Sequence, residues 1–173
     1  VFISFSPAST LSIFRGRELV QDSLEVLRSP RDIVTLCDRD LDVITENSMK
    51  SPMLRSRICI HKSSSAQLQE MLLSLCKWTY VRPHKHLQKA ESFHIIKGEG
   101  FIVIFKDDGE IEKVIQLGDY ASGKSFYFRL DASYFHMVIV TSETLVFHET
   151  TTGPFNREDT IFASWSPGED DVV

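Results

Sequence analysis

The chain has 173 residues, enough for one hydrophobic core, with 42% hydrophobic residues and twelve Phe to fill it. A net charge of -5 argues against a nucleic-acid surface, which needs clustered Lys and Arg, and no run approaches the ~20 apolar residues of a membrane-spanning helix. Cys37, Cys59 and Cys76 are odd in number and contain no Cys-x-x-Cys pair, which argues against a disulfide framework and a cysteine zinc site and favours a reducing, cytoplasmic setting.

In chain order, the first seventeen residues are Ser-rich and basic. They read either as an organelle transit segment or, as preferred here, as a strand or docking arm, with Phe2, Ile3 and Phe5 in a short strand. Leu19, Leu24, Val26 and Leu27 suggest a helix ending near Ser29-Pro30. A second helix is expected from Leu36 to Lys50, capped by Asp38 or Asp40, with Leu41 and Ile44 on one face and a break at Ser51-Pro52. Beyond Arg57 the pattern is of short strands: 58–60, 71–75, 78–82, 92–97, 101–106, 111–117, 125–130, 136–140 and 145–149. Gly98-Glu99-Gly100, Asp107-Asp108-Gly109, Gly118-Asp119 and Thr141-Ser142-Glu143 separate several of them, and Asp108-Gly109 is the clearest hairpin turn. Regular short strands predict a sandwich or barrel. The expected organisation is an N-terminal segment, 1–57, packing on a barrel, 58–168, with a tail, 169–173. Trp78 and Trp165 are assigned to the core.

Within this pattern His84 and His86 stand two residues apart, the strand period, so both imidazoles leave one face of one strand. A four-residue turn is expected to bring Glu91 on the adjacent strand to the same point, giving two nitrogens and one oxygen for a metal. His136, at the start of its strand after Ser133-Tyr134-Phe135, is the fourth ligand expected. His94 has the opposite parity to Glu91 and is excluded, and His148 is expected to pack against the other sheet. His61 is placed at the cavity as a ligand-binding residue. Arg82 shares the parity of His84 and would need an anionic partner inside the barrel, whether a carboxylate or a substrate. Tyr80 lies on the same row. Arg55 and Arg57 read as an anion-binding pair or a solvated face. Tyr80, Tyr134 and Glu149 are candidate acid or base groups, and no catalytic residue is assigned.

The run His84-x-His86-x4-Glu91-x6-Gly98 resembles the first signature of the cupin superfamily, with Trp78 in place of the leading Gly. Of the second signature His136 is retained, while its Pro and Gly are replaced. Residues 36 to 168 are similar to the WbuC-type cupin metalloproteins, through Ser51-Pro52, Arg55-x-Arg57 with His61, Tyr80 to His86, Glu149 to Phe155, and Phe162-Ala163-x-Trp165-x-Pro167. The resemblance implies a double-stranded β-helix, or jelly-roll barrel, behind short N-terminal helices, with one divalent ion (Zn, Fe, Mn or Ni) at its mouth. It also implies a small-molecule ligand, favoured as a sugar or nucleotide-sugar derivative of polysaccharide or lipopolysaccharide biosynthesis. An isomerase-like or dioxygenase activity is one expectation, and a non-catalytic metal-dependent binding module is the alternative. A metal-free epimerase would leave the ligand triad unexplained. A homodimer is expected because sheet edges need cover.

Overall fold

The structure, a computed structural model, describes residues 19–131 and 133–172. The strand expected at Phe2 to Phe5 lies outside them. The strands are β1 (Val20–Gln21), β2 (Val26–Arg28), β3 (Arg55–Cys59), β4 (Leu68–Cys76), β5 (His84–His86) and β6 (Glu91–Lys97), continuing as β7 (Glu99–Phe105), β8 (Ile111–Gly118), β9 (Tyr127–Leu130), β10 (Phe135–Val140), β11 (Thr144–Thr152) and β12 (Thr160–Phe162). Among the described residues one α-helix, α1 (Asp38–Lys50), precedes β3. A seven-stranded sheet runs β1-β2-β3-β4-β11-β6-β9, and a five-stranded sheet runs β12-β5-β10-β7-β8. The pairing is antiparallel except between β2 and β3. This is a jelly roll, the architecture implied by the cupin resemblance and within the sandwich or barrel class expected from the strand spacing.

Alternation along each strand builds the core. On β6, Phe93 and Ile95 point inward while His94 stays exposed. On β11, Leu145 and Phe147 do the same. They meet Ile102, Ile104 and Val138 of the opposite sheet, and the Phe93 and Phe147 rings lie 4.9 Å apart between centroids. The outer face of the larger sheet is covered by α1, which buries Ile44 against Ile58, Leu72, Val146 and Leu27. Among the described residues no helix is long and apolar enough to cross a membrane.

The helix expected over 19–29 is instead a small β-hairpin, with Val20 opposite Arg28. The Ser23 hydroxyl accepts from the amides of Glu25 and Val26, which tightens its turn. Parallel pairing of β2 with β3 then buries Leu27. Those long-range backbone partners outweigh a weak helical periodicity. α1 forms as expected, but its cap is the extended Cys37, whose amide donates to the Asp40 carboxylate at 2.8 Å. Asp40 therefore acts from inside the first turn.

Residues 78–82 are not a strand either. Trp78 adopts φ 75 at the corner where the chain leaves β4, and its ring is 83% exposed. Trp165 is 37% exposed, with its ring packed 5.1 Å from Phe105 on the outside of the smaller sheet. Neither tryptophan is core: one follows the backbone of a turn, and the other caps an outer face.

The Asp108-Gly109 turn does join β7 to β8, with Gly109 at φ 92. Gly98, the last position of the histidine motif, has φ 87 where the chain passes between sheets, and an added Cβ would lie 2.1 Å from the Thr144 carbonyl oxygen. Both the left-handed backbone and the close contact penalise a side chain. Gly98→Ala is expected to cost about 2 kcal/mol, lowering the melting temperature by about 4–8 °C in a calorimetric scan.

Candidate metal centre

β5 lies between β10 and β12 in the smaller sheet, with His84 opposite His136 on one side and Phe162 on the other. His84 and His136 are thus cross-strand neighbours, their ring centroids 4.5 Å apart. Lys85 points the other way, toward Asp107 and the Phe135 ring. This leaves the cavity face of β5 to the two imidazoles. The three histidines each offer a ring nitrogen, and these lie within 4.8 Å of one another.

Glu91 reaches the same point by a route the spacing did not reveal. It opens β6 in the seven-stranded sheet, where its hydrogen-bonded neighbours are β11 and β9, not β5. The residues between His86 and Glu91 form a crossover at the barrel rim, with Gln88 at φ 56, and not the turn of a hairpin. The carboxylate therefore faces the imidazoles from across the cavity. Its Oε1 lies 2.7 Å from His136 Nε2, and its Oε2 lies 3.7 Å from His86 Nε2.

The orientation of the rings is fixed from behind. His84 Nδ1 lies 2.8 Å from the Arg82 carbonyl, and His136 Nδ1 lies 3.0 Å from the Tyr134 carbonyl. His86 Nδ1 meets the Thr160 hydroxyl at 3.1 Å. A carbonyl can only accept, so those Nδ1 atoms carry the hydrogen and Nε2 keeps its lone pair. Glu91 Oε1 and His136 Nε2 are buried, and despite their short separation neither has an aligned hydrogen-bond partner. Orphaned acceptors of this kind fit a cation between them. Three imidazole nitrogens and one carboxylate oxygen are a donor set suited to Zn, Fe(II), Mn or Ni.

At His84, His86 and Glu91 electrostatics agree with that fit, while His136 in the metal-free chain is drawn toward the charged form by Glu91, the place a cation would take. Burial, reinforced by the neighbouring His136 ring, pushes His84 down to about 4, so it is neutral near pH 7 as a ligand must be. Burial also lowers His86. For His136 burial acts downward, but the adjacent Glu91 carboxylate outweighs it and holds the group above its usual value. Burial would raise Glu91, and the surrounding imidazoles bring it below the ordinary carboxylate range.

The centre opens into a cavity of about 480 Å³ between the sheets, within the range of small-molecule sites. Leu73, Leu75, Val81, Phe93, Val138 and Phe147 give it apolar walls. Arg55, Arg57, Arg82, Arg157, Glu149 and Glu169 supply charge.

Burial first, and then the Glu91 charge, push Glu149 up to about 8. It is therefore largely protonated near pH 7 in the metal-free chain. A carboxyl raised in the folded state binds more protons folded than unfolded, so its contribution to stability falls as pH rises from about 4.5 to about 8. His84 contributes the opposite slope between about 4 and 6.5. Glu149→Gln is expected to flatten the loss of stability of the metal-free chain between pH 6 and 8, as measured by urea titration. An unchanged profile would assign that loss to other groups.

The remaining expected site residues are dispersed. Arg82 lines the cavity, but its guanidinium donates to the Ala163 carbonyl and the Ser166 hydroxyl and stacks on Phe162. Its expected anionic partner is replaced by these neutral groups. His61 is not among the residues lining the cavity, because its Nδ1 is engaged by the backbone of Glu70. Tyr80 donates its hydroxyl to the Pro167 carbonyl and also lies off the cavity lining. Tyr134 is exposed and touches the centre through its carbonyl alone. His94 faces away from the centre, 5.8 Å from the Phe126 ring. His148 does not pack between the sheets: with Phe147 and Glu149 pointing inward, it lies on the helix side of β11, 3.7 Å from the Glu70 carboxylate. Arg157, Glu169 and Thr160 were not anticipated. They come from short turns and an edge strand without a periodic signal.

Fold and site together define a jelly roll with a histidine-rich cavity, and comparison with solved structures places it among cupin folds. Protein SO0799 from Shewanella oneidensis superposes with a TM-score of 0.51 at 14% identity, over 61% of this chain and 72% of that one. CapF, solved with the inhibitor 3-isopropenyl-tropolone, gives 0.50 at 17% identity, over 62% of this chain and 31% of its own. At these identities the likeness is one of fold, and this chain matches about a third of CapF. A family model described as a domain of unknown function, DUF6016, matches residues 36–117. No curated protein matches the sequence.

Proposed function

We propose that this chain is a metal-binding cupin that holds one divalent ion through His84, His86, His136 and Glu91 and takes a small anionic molecule into the cavity beside it. The carrying observation is that backbone carbonyls hold the Nδ1 atoms of His84 and His136 from behind, which leaves their Nε2 lone pairs for the cavity beside His86 and Glu91. When bound, the ion supplies a Lewis acid with room for a further ligand. The chain supplies the rest: Arg82, braced by Ala163 and Ser166, forms one wall with Phe162, while Glu149 places a carboxyl on the same cavity.

A sugar or nucleotide-sugar derivative of polysaccharide biosynthesis is the substrate class in this reading. Support comes from the similarity of residues 36 to 168 to the WbuC-type cupins and from a cavity that mixes arginines with Phe155 and Phe162. The reading includes a homodimer, tested by light scattering, and a reducing cytoplasmic setting, supported by three unpaired cysteines. The alternative is a binding module without turnover. The position of Glu149 on the cavity wall favours catalysis, because it places a carboxyl where a ligand beside the centre could exchange a proton with it.

Elemental analysis of the purified chain tests the metal, with about one equivalent of a divalent ion expected and no stoichiometric metal overturning the proposal. A screen of sugar nucleotides on the metal-loaded chain then separates turnover from binding alone.

A further inference from the structure

The cavity holds more positive charge than its own carboxylates answer. β3 contributes Arg55 and Arg57 to it, because alternation turns Ser56 and Ile58 to the opposite, buried face. Arg157 enters from the short turn before β12. Arg55 is paired with Glu169 at 2.9 Å, and Arg82 is committed to the C-terminal carbonyl and hydroxyl. Arg57 lies beside the neutral Cys59 thiol, and neither Arg57 nor Arg157 forms an ion pair among the described residues.

Both open guanidiniums line the same cavity as the histidine cluster. The charge of Arg57 also acts on Glu149, which in turn feels Glu91 and His136, so Arg57 and the centre share one electrostatic neighbourhood. Four guanidinium groups line the cavity against the carboxylates of Glu91, Glu149 and Glu169. A divalent ion would add two further positive charges, so an empty cavity leaves this excess to solvent and counter-ions.

We infer that Arg57 and Arg157 form an oxyanion subsite, which takes the phosphate or carboxylate end of a ligand whose other end reaches the histidine cluster. The inference rests on the metal-centre reading and deepens it by assigning the anionic end to these two residues, in place of Arg82 and His61. A guanidinium presents its N–H groups in a planar fork that matches two oxygens of either anion. Lysine would not substitute equally well, since it offers a point charge without that fork.

Calorimetric titration of the full chain with inorganic phosphate and with malonate, in metal-loaded and metal-free forms, tests the assignment and separates the two anion chemistries. Wild type is expected to bind at least one of the two probes. Arg57→Gln is expected to weaken that binding about tenfold or more, and the Arg57→Gln/Arg157→Gln pair to abolish it, with metal content unchanged. Lys113→Gln, on β8 and outside the cavity lining, serves as a control for general charge loss and is expected to leave the affinity as it was. Unchanged affinity in the double variant, or no binding of either probe by wild type, overturns the subsite and leaves the metal centre standing. Should wild type hold no metal, the metal reading fails, and titration of the metal-free chain still decides the subsite by the same criteria.

Discussion

Adding a divalent ion to the metal-free chain is expected to raise its melting temperature by about 8–16 °C when the ion is present at about a thousand times its dissociation constant. Mass action gives about 4 kcal/mol under that condition, and each kcal/mol moves the midpoint of a domain of this size by about 2–4 °C. The double variant His84→Ala/His86→Ala should lose the rise altogether. Both rings are half-buried on the cavity wall, so their removal opens space toward solvent and leaves the apolar core intact. Differential scanning fluorimetry of the two proteins, each with and without metal, makes the comparison. A rise that persists in the double variant would place the ion elsewhere.

Phe147→Ala carries the other large effect. The ring is buried between the sheets, against Phe93, and also forms part of the cavity wall. Truncating such a side chain costs about 3–5 kcal/mol, through lost transfer energy and the void left behind. The midpoint should fall by about 6–20 °C. Metal stoichiometry should be retained, because Phe147 donates nothing to the centre. His94→Ala on the exposed face of the neighbouring strand is the control, expected to stay within about 0.5 kcal/mol of wild type. A small effect at Phe147 would mean that the void collapses and that the barrel is softer than its packing implies.

Parity along single strands made much of this legible in advance. The alternation of Phe93 and Ile95 with His94 fixed which face of β6 is inside, and the two-residue spacing of His84 and His86 fixed theirs. What stayed hidden was pairing. A short connector after His86 suits a hairpin and a crossover between sheets equally well, and nothing local distinguishes them, so Glu91 was assigned the wrong neighbour while its convergence on the cluster was anticipated. The segment 20–28 misled for a related reason: its strands are two and three residues long and are specified by β3, about thirty positions away. Trp78 shows the limit of hydrophobicity as a guide, because a left-handed turn residue goes where its backbone points it. Arg157 and Glu169 arrive on single turns, which carry no period to read.

Among the described residues β5 has no sheet partner close to it in sequence: His84 is bonded into the sheet by His136 on one side and by Phe162 on the other. His84 and His86 are therefore synthesised long before the strands that will hold them emerge from the ribosome. A nascent chain ending short of residue 160 would carry both imidazoles with no edge strand to bracket them, and closing such distant pairings is a slow step in folding. The cavity wall that carries both imidazoles is thus completed only when β12 has been made and paired with β5.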